Sequence, residues 1–440
     1  MQLSNRFKDG VYKINFIKLS EYRGYMIFTS RPEHLKTMFS YPKLFTKPLY
    51  FKKFFPLTGD GLLTSTGKEH AFQKKLLAKL FTAGHVTRYT PIMNHHADRL
   101  LTLWKDEIGD DRRGKNIELQ HYMHNVVFDI FCETAFGFHY DSLTSNHDVV
   151  QLLKEQISTM TNFKGKFLYS VFKYFKFLPF SFYDMEQQKL DRCRNVLEEI
   201  ISKKKDILAL SEDQSESADF LTMMIKARDE ETKTGFTDKY LRDNLFSFLL
   251  ASFETTGTAI PWVLYALAMN INEQEKARKE ILSVLDGQHQ IEDGHLSEFT
   301  YFTACIKESL RLYTPVPFGG RVTEKETKLG TYDIPAGQMI VPNFSAIHRQ
   351  EDVYENPDCF NPERFLTGVP FPPGAFVPFG YGPYNCIGQH FAMLEIKVIV
   401  ARILQTYSVV ADEGYRSYNK QALITVTASP PITLRFIPLT

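Results

Sequence analysis

The longest helical pattern in the sequence sets the scale of anything the chain can fold into. Over residues 238–270, apolar side chains recur at three- and four-residue spacing without a loop-like interruption. At the standard rise per residue this segment predicts a helix of roughly 50 Å. A helix of that length must cross the whole molecule. Pro261 lies within it, and because proline lacks a backbone N–H we expect a local kink or widening there.

The rest of the sequence divides into a helix-rich part and a β-rich part. Helical spacing of apolar residues predicts further helices over 67–81, 93–107, 117–136, 148–160 and 186–208. Beyond residue 312 prolines cluster and short strands are predicted, followed by one more helix over 386–404 and a closing hairpin over 421–437 around Pro430 and Pro431. We therefore expect residues 1–440 to form a single domain of mainly α class with a small β portion (α+β). It is helix-rich over 67–312, β-rich over 313–440, and has a small N-terminal β segment over 10–30.

Composition and charge argue against several classes of protein. Lys and Arg number 52 against 51 Asp and Glu, whereas nucleic-acid binding needs a surplus of basic residues on one face. No stretch of roughly 18 apolar residues occurs, so no membrane span is expected and the chain is predicted to be cytoplasmic. Peripheral membrane contact, or an N-terminal anchor that has been removed, is left open. Five scattered cysteines without paired or zinc-type spacing predict a reducing compartment.

The segment with the clearest chemistry covers residues 378–395 and contains Phe379-x-x-Gly382-x-x-x-Cys386-x-Gly388. From the composition, chance supplies about 0.001 such matches in a chain of this length. The two glycines let the backbone approach a large planar group or adopt positive φ. Cys386 stands at the start of a predicted helix, where the helix dipole and nearby amides favour a thiolate. A thiolate in apolar surroundings suits an iron porphyrin, and the alternative is a buried structural cysteine.

This segment resembles the signature of the cytochrome P450 family of heme-thiolate monooxygenases, which it matches at all four positions. Four further segments occur in the family's order, so the resemblance extends from about residue 10 to the C-terminus. It implies a P450-like fold whose long central helix crosses over heme b (iron protoporphyrin IX). It also implies that Cys386 is the axial ligand of the heme iron, with Phe379, Gly382 and Gly388 in the loop that binds the cofactor.

A second segment carries charged residues that can pair. In KESLR at 307–311, Glu308 and Arg311 lie three residues apart on one face of a predicted helix, and Arg364 follows in NPERF at 361–365. The E-x-x-R pattern alone is common on surface helices. In this order it resembles the family's Glu-Arg-Arg triad, which implies a structural role for Glu308, Arg311 and Arg364 in supporting the heme core.

The third segment, LLASFETT at 249–256, places an acid and hydroxyl groups in an otherwise apolar helix. Taken alone, it is explained by Thr255 bonding to a carbonyl one turn back and Glu254 facing water. It resembles the family's oxygen-activation motif, which implies that Glu254 and Thr255 are catalytic and organise the water that supplies protons to dioxygen at the heme. Ser252 stands where the family usually has glycine, and either narrows the helix groove or adds a hydroxyl to the water chain.

Two more segments resemble the family's anchors for the heme propionates. In GKEHAFQK at 67–74, His70 and Lys74 occupy the positions of the family's Trp and Arg, four residues apart on one helix face. In FGGR at 318–321, Arg321 matches a propionate-binding arginine. Tyr384 departs from the Arg or His that the family has two residues before the cysteine. The resemblance thus implies that His70, Lys74 and Arg321 bind the cofactor, and the alternative is that each basic side chain is solvated.

The implied activity is insertion of one oxygen atom from dioxygen into a lipophilic substrate. Hydroxylation or epoxidation of a fatty acid, sterol or terpenoid-like molecule falls within this class. Substrate-facing residues are expected at 50–57, 250–253 and 316–318. The aromatic run over 167–183 falls in the family's roof region, where it lines a channel, touches a membrane or packs in the core.

The sequence contains no nucleotide fingerprint and no flavin module, so we expect electrons from a separate donor: a ferredoxin, a flavodoxin or an NADPH-dependent reductase. Lys74, Lys75 and Lys79 are the predicted docking site for an acidic donor, and the protein is expected to be a monomer. Two alternatives remain. A heme-thiolate isomerase, dehydratase or peroxygenase does not activate dioxygen, and the Glu254-Thr255 pair argues against it. A non-enzymatic heme carrier or sensor forms no product.

Overall fold

The structure is a computed structural model that describes residues 10–15, 25–48, 52, 55–109, 111–145, 148–161, 182–210, 219–412, 414, 417–422 and 424–439. Nearly all of the aromatic run over 167–183, and half of the predicted substrate-facing segment 50–57, lie outside these residues.

Helices make up most of the described chain, as the apolar spacing predicts. They are α1 Pro32–Ser40, α2 Gly67–Ala78, α3 Ala83–Val86, α4 Thr90–Ile108, α5 Leu119–Phe136, α6 Asp148–Thr161, α7 Phe182–Leu210, α8 Phe220–Lys226, α9 Asp238–Met269, α10 Ile271–Leu285, α11 Asp293–Glu298, α12 Thr300–Leu312, α13 Phe344–Ile347 and α14 Gln389–Thr406. Single 3₁₀ turns cover Lys79–Phe81, Thr87–Tyr89, Pro362–Phe365 and Gly382–Tyr384.

The predicted long helix is α9, which lies in the interior of the molecule. The Thr237 side chain caps its start by accepting a hydrogen bond from the Tyr240 N–H, and the helix continues through Pro261 to Met269. Every side chain over 256–268 is buried, because the sequence there is apolar around the whole circumference. Helices α5, α7, α12 and α14 pack around α9. No described helix combines the length and the apolar character that crossing a bilayer requires.

The strands are short and form four separate sheets. They are β1 Val11–Asn15, β2 Tyr25–Thr29, β3 Phe45–Thr46, β4 Lys115–Glu118, β5 Arg321–Thr323, β6 Thr327–Leu329, β7 Tyr332–Ile334, β8 Met339–Pro342, β9 Tyr407–Val410, β10 Asn419–Ala422, β11 Val426–Ser429 and β12 Thr433–Pro438. The largest sheet has the order β1-β2-β8-β5-β3, the second has the order β4-β12-β9, and β6-β7 and β10-β11 form two-stranded ribbons.

The largest sheet joins the N-terminal part of the chain to the segment over 321–342. Strand β2 runs parallel to β8, with Ile27 opposite Ile340, and β5 pairs with both β8 and β3. A small apolar core with Leu35, Met38 and Phe45 fills the space between this sheet and α1. This arrangement brings Arg321, at the start of β5, next to the N-terminal part of the chain.

Two predictions about the C-terminal part are wrong. The strands on either side of Pro430 and Pro431 do not pair with each other, because β11 pairs with β10 while β12 lies between β4 and β9. Two prolines in succession cannot donate to a ladder, so they separate two sheets instead of forming a hairpin turn. Cys386 is not helical either: α14 begins at Gln389, and Cys386 lies in the loop that precedes it.

Candidate functional site

The signature cysteine and the hydroxyl-bearing part of α9 line the same cavity, which has a volume of about 340 Å³. It lies between α9, α14 and the two loops that follow α12 and precede α14. Its lining includes Thr255, Thr256 and Ala259 from α9, Val316 and Phe318 from the first loop, and Phe379 and Cys386 from the second. The sequence motifs that are more than a hundred residues apart therefore face a common site.

The backbone of the loop before α14 holds Cys386 at this cavity. The Cys386 N–H donates to the Phe379 carbonyl at 2.8 Å, and the thiol is open to the cavity. Burial among protein atoms raises the pKa of the thiol, and the Gly388 N–H and the positive charge of Lys74 act in the opposite direction. A protein that places a desolvated thiol beside an amide and a cation provides the setting in which a bound metal ion stabilises the thiolate.

Glycine suits the two signature positions, 382 and 388, for different structural reasons. Gly382 has φ +69°, and a Cβ there would lie 2.8 Å from the Cβ of Phe39 in α1, so both conformation and packing exclude a side chain. Gly388 has an ordinary φ of −85°. A Cβ at Gly388 would lie 4.0 Å from the Cys386 sulfur, so glycine there keeps the space beside the thiol open.

Basic side chains from separate segments crowd at one end of the cavity around the Tyr384 ring. The Lys47 ammonium lies 4.9 Å and the Arg321 guanidinium 5.0 Å from the ring centroid, and the His70 ring lies 4.4 Å away. Burial, followed by repulsion from its basic neighbours, lowers the pKa of Lys47 to about 7 and that of His70 to about 3. Burial also lowers the pKa of Arg321 to about 10. His70 is therefore neutral. The fold holds the positive charges of Lys47 and Arg321 close together although they repel each other.

This cluster fits the carboxylates of a heme. Lys47 and Arg321 both line the cavity and have no carboxylate partner among the described residues. The Nε of Arg321 is buried without a hydrogen-bond partner in the described part of the chain, which is costly unless an acceptor occupies the cavity. Two propionates would supply the negative charge and the acceptors that this end of the cavity lacks.

His70 and Lys74 do not line the cavity, although both were expected to bind the cofactor. The Lys74 ammonium donates instead to the Pro383 carbonyl at 2.6 Å and to Oδ1 of Asn385 at 2.6 Å. It thereby ties α2 to the cysteine loop. Lys47 faces the cavity in its place, and sequence reasoning missed it because a lysine in a short loop carries no pattern.

The residues of the oxygen-activation motif occupy different surroundings. Thr255 lines the cavity and donates its hydroxyl to the Ala251 carbonyl at 2.6 Å. Glu254 does not line the cavity, and its Oε2 accepts a hydrogen bond from the Thr425 hydroxyl at 3.4 Å. The Ser252 hydroxyl is buried with no partner within the described chain, so it remains open to a water or a ligand group.

A buried acid that the sequence analysis did not single out lies behind this motif. Glu395 of α14 is fully buried and faces the Thr256 side chain, which favours the ionised form, whereas burial disfavours that form more strongly. Burial raises its pKa well above the ordinary value, so the side chain is a neutral acid. The only sequence signal for it is an acid on the apolar face of an amphipathic helix.

The three residues of the expected triad come together in one buried network. Glu308 pairs with Arg311, Oε2 to Nε at 2.7 Å, and with Arg364, Oε1 to Nε at 3.0 Å. Arg311 also donates to the carbonyls of His348, Pro357 and Cys359. The network therefore joins α12 to the segment that leads to the cysteine loop.

Two expectations about the surroundings differ from the structure. None of residues 250–253 lines the cavity, and Phe253 instead stacks on His124 of α5 at 4.6 Å. Two of the three predicted docking lysines, Lys75 and Lys79, are paired with acids that follow α8. Lys75 pairs with Asp229 at 2.8 Å and Lys79 with Glu230 at 2.5 Å, so this surface is not a cluster of unpaired positive charge.

Comparisons with known proteins agree with this geometry. A family model described as Cytochrome P450 matches residues 15–436. The chain is 30% identical to Cytochrome P450 CYP749A22 of Panax ginseng, over 98% of this chain and 81% of that protein. It is 30% identical to a cytokinin hydroxylase of Arabidopsis thaliana, over 86% and 72%, and 31% identical to Cytochrome P450 4Z1 of Homo sapiens, over 81% and 71%.

The fold is likewise similar to a solved structure. The crystal structure of the cytochrome P450DA heme domain superimposes with a TM-score of 0.85 at 20% identity, covering 100% of this chain and 92% of that one. The family model and the relatives each span most of the chain, with the signature cysteine at the cavity. The chain therefore belongs to the cytochrome P450 family, whose members are heme-binding monooxygenases.

Proposed function

We propose that this protein uses dioxygen and electrons from a separate donor protein to hydroxylate or epoxidise a lipophilic substrate of the fatty acid, sterol or terpenoid type. The observation that carries the proposal is the shared cavity of Cys386 and Thr255. Among the described residues that line this cavity, only Lys47 and Arg321 are charged, and both lie at the end that suits propionates. The remaining lining is largely apolar or aromatic.

Heme, when bound, supplies a thiolate-ligated iron at which dioxygen is activated. Cys386 would hold the iron, and Lys47 and Arg321 would bind the propionates. Val316 and Phe318 would contact the substrate and keep bulk water out, because both are apolar and line the cavity. A substrate without charge of its own matches this lining, since burying an unpaired charge there is costly.

The chain's own residues provide a route for protons. The Thr255 hydroxyl donates its hydrogen to the Ala251 carbonyl. Its oxygen lone pairs are therefore available to accept a hydrogen bond from a water in the cavity. Glu254 is the next residue along α9, and Thr425 holds its carboxylate outside the cavity. We assign to Glu254 the exchange of protons with water outside and to Thr255 their presentation inside.

Lys75 of α2 and Lys79, just after it, do not offer unpaired charge to an electron donor. Asp229 and Glu230 already occupy Lys75 and Lys79, so an acidic donor at this surface would have to displace them. We retain a separate donor as part of the proposal, because the matched family segments contain no nucleotide or flavin site.

The first test is the absorption difference spectrum of dithionite-reduced protein with and without carbon monoxide. Thiolate ligation by Cys386 gives a strongly red-shifted Soret band, which should be absent from Cys386→Ala. Lipid-like compounds should then produce spin-state shifts in the oxidised protein. Product formation should require dioxygen and a donor system. Turnover without any donor, unchanged in a Thr255→Ala Glu254→Gln double variant, would instead identify an isomerase, dehydratase or peroxygenase.

A further inference from the structure

A cluster of imidazoles and one carboxylate lies apart from the cavity, where α4 meets the end of α5. We call it the histidine cluster; it comprises His95 and His96 of α4, Glu133 in the last turn of α5, and His139 just beyond that helix. Their rings are close neighbours, because the centroids of His95, His96 and His139 are 5.3 to 5.4 Å from one another. The P450 site described above uses none of these residues.

Three of these side chains already direct ligand-type atoms at one point. Nε2 of His96 lies 2.8 Å and Nδ1 of His139 lies 2.9 Å from the same oxygen, Oε2 of Glu133. The three atoms all lie within 4.8 Å of one another. Ligands of a tetrahedral zinc ion are roughly 3.4 Å apart, so only small movements separate the present arrangement from a coordination shell.

Each ligand is held by the fold in a different way. His96 is fully buried, so packing fixes its ring, and its Nδ1 has no hydrogen-bond partner among the described residues. Gly137 ends α5 with φ +71° and turns the chain so that His139 folds back on Glu133. His96 and His139 each direct one ring nitrogen at Oε2 of Glu133, so the carboxylate lies between the two rings.

We propose that His96, Glu133 and His139 form a binding site for a divalent transition metal ion, with zinc the best match, and with water or His95 as the fourth ligand. Two imidazoles and one carboxylate are a donor set that zinc accepts, whereas magnesium and calcium prefer oxygen ligands alone. No redox change is involved. To coordinate the ion, the ring nitrogen that faces Glu133 must carry a free lone pair, so each imidazole coordinates as the tautomer whose proton is on the other ring nitrogen.

For His96 nothing opposes this tautomer, because no described group donates a hydrogen bond to Nδ1, the atom that takes up the proton. For His139 it displaces a contact, because the Arg99 Nη1 now donates to Nε2 at 3.1 Å. Arg99 has a second partner in Asp141, with which it forms an ion pair, and can turn fully to it. Arg99 therefore weakens metal binding both through its charge and through the tautomer it favours.

Metal binding at this cluster would fasten two helices to each other. Helix α5 packs on α9, the helix that lines the P450 cavity, and α4 packs on α5 and α14. A metal ion that binds only the folded state raises the unfolding temperature, and the rise grows with the ratio of the free metal concentration to the dissociation constant. The site is thus a structural or regulatory site and not part of the oxygen chemistry.

The test is a calorimetric titration of zinc into heme-loaded, tag-free protein that has been freed of metal by a chelator. We expect one tight site in the wild type, and affinity at least about tenfold weaker in His139→Ala and in Glu133→Gln, since each removes one ligand. His139 is exposed, so its variant should fold normally. His121→Ala, an exposed histidine on the same helix as Glu133, is the matched control and should bind like wild type.

Arg99→Gln tests the electrostatic part of the proposal and should bind zinc more tightly than wild type. Zinc should also raise the unfolding temperature of wild type and of His121→Ala, and raise that of His139→Ala by clearly less at the same zinc concentration. Equal affinity in wild type, His139→Ala and Glu133→Gln would overturn the proposal. Weaker binding in Arg99→Gln would overturn the assigned ligand atom of His139.

Discussion

The Arg311 guanidinium binds both carboxylate oxygens of Glu308, with Nε 2.7 Å from Oε2 and Nη2 2.8 Å from Oε1. Both side chains are fully buried. Since removing one partner leaves a buried charge without its counterion, we expect Arg311→Ala to destabilise the fold by about 3–5 kcal/mol. The heme content of the purified protein should fall with it, because the network supports the segment that leads to Cys386.

Denaturant unfolding and the ratio of heme to protein absorbance measure these effects. Lys307→Ala, on the same helix but outside the network, is the control and should change stability by less than about 0.5 kcal/mol. An Arg311→Ala protein with normal heme content and normal stability would remove the structural role we assign to the pair.

Thr255→Val should separate electron consumption from product formation. The substitution keeps the shape of the side chain and removes the hydroxyl that faces the cavity. We expect product formation to fall by at least about tenfold, since general acid catalysis contributes about 10² or more. Consumption of the electron donor should fall less, and the difference should appear as reduced oxygen species.

Thr258→Val on the same helix is the control, because its buried hydroxyl has no hydrogen-bond partner in the described chain and does not line the cavity. The ratio of product to donor consumed is the quantity to compare. If the two variants show the same ratio as wild type, Thr255 has no part in proton supply.

Heme affinity should depend on pH through Lys47. Burial, with repulsion from Arg321 and Lys74, lowers the pKa of Lys47 to about 7, and His70 beside it is neutral. A propionate favours the charged form, so heme binding above pH 7 requires Lys47 to take up a proton. The affinity should therefore fall as pH rises above 7, by up to about tenfold per pH unit.

Competition for heme with a heme-scavenging protein, at a series of pH values, measures this dependence. Lys47→Met should bind heme more weakly at pH 6 and lose the pH dependence above 7. A wild-type slope that persists unchanged in Lys47→Met would show that another group controls it.

Glu395→Gln should leave stability within about 1 kcal/mol of wild type. The carboxyl group is fully buried and its pKa is raised well above the ordinary value by burial, so it is uncharged at neutral pH. Glutamine matches its size and its neutrality. Infrared spectra at pH 7 should show the carbonyl band of a protonated acid in wild type and not in the variant. A strong loss of stability in the variant would mean that an ionised Glu395 is required.

Acid should destabilise the protein through His348. The Val377 N–H donates to Nε2, so the proton on Nδ1 points to the Thr314 hydroxyl at 2.8 Å. Burial, aided by the charges of Arg311 and Arg349, lowers the pKa of His348 from 6.5 to about 3. Between these values the unfolded chain binds a proton that the folded protein does not, so stability falls as pH drops from 6.5 towards 3.

At pH 4.5 the loss from this one residue is on the order of 3 kcal/mol. Unfolding free energies of wild type and His348→Gln, measured between pH 7 and 4.5, test it. The variant should start less stable and lose less over this range. Parallel pH profiles for the two proteins would contradict the neutral state of His348.

Local patterns in the sequence were sufficient to predict α2, α4, α5, α6, α7 and α9, and the order of the motifs. Helix α9 was predictable almost to the residue, because the three- and four-residue spacing of its apolar side chains is a local feature. The hairpin around Pro430 and Pro431 was predicted wrongly, because strand pairing depends on which distant strand is available. Strand β12 pairs with β4, some three hundred residues earlier in the chain.

The sequence by itself determined the heme-thiolate signature around Cys386 and the class of chemistry, because the ligand, its loop and the neighbouring helix are contiguous. Only the tertiary structure decided which basic groups face the cavity. Lys47, Arg321 and Tyr384 come from three separate segments and meet at one end of it, and His70 packs on the Tyr384 ring from behind. Their repulsion, and the pKa shifts that result, depend on distances between segments, and no spacing along the chain encodes those distances.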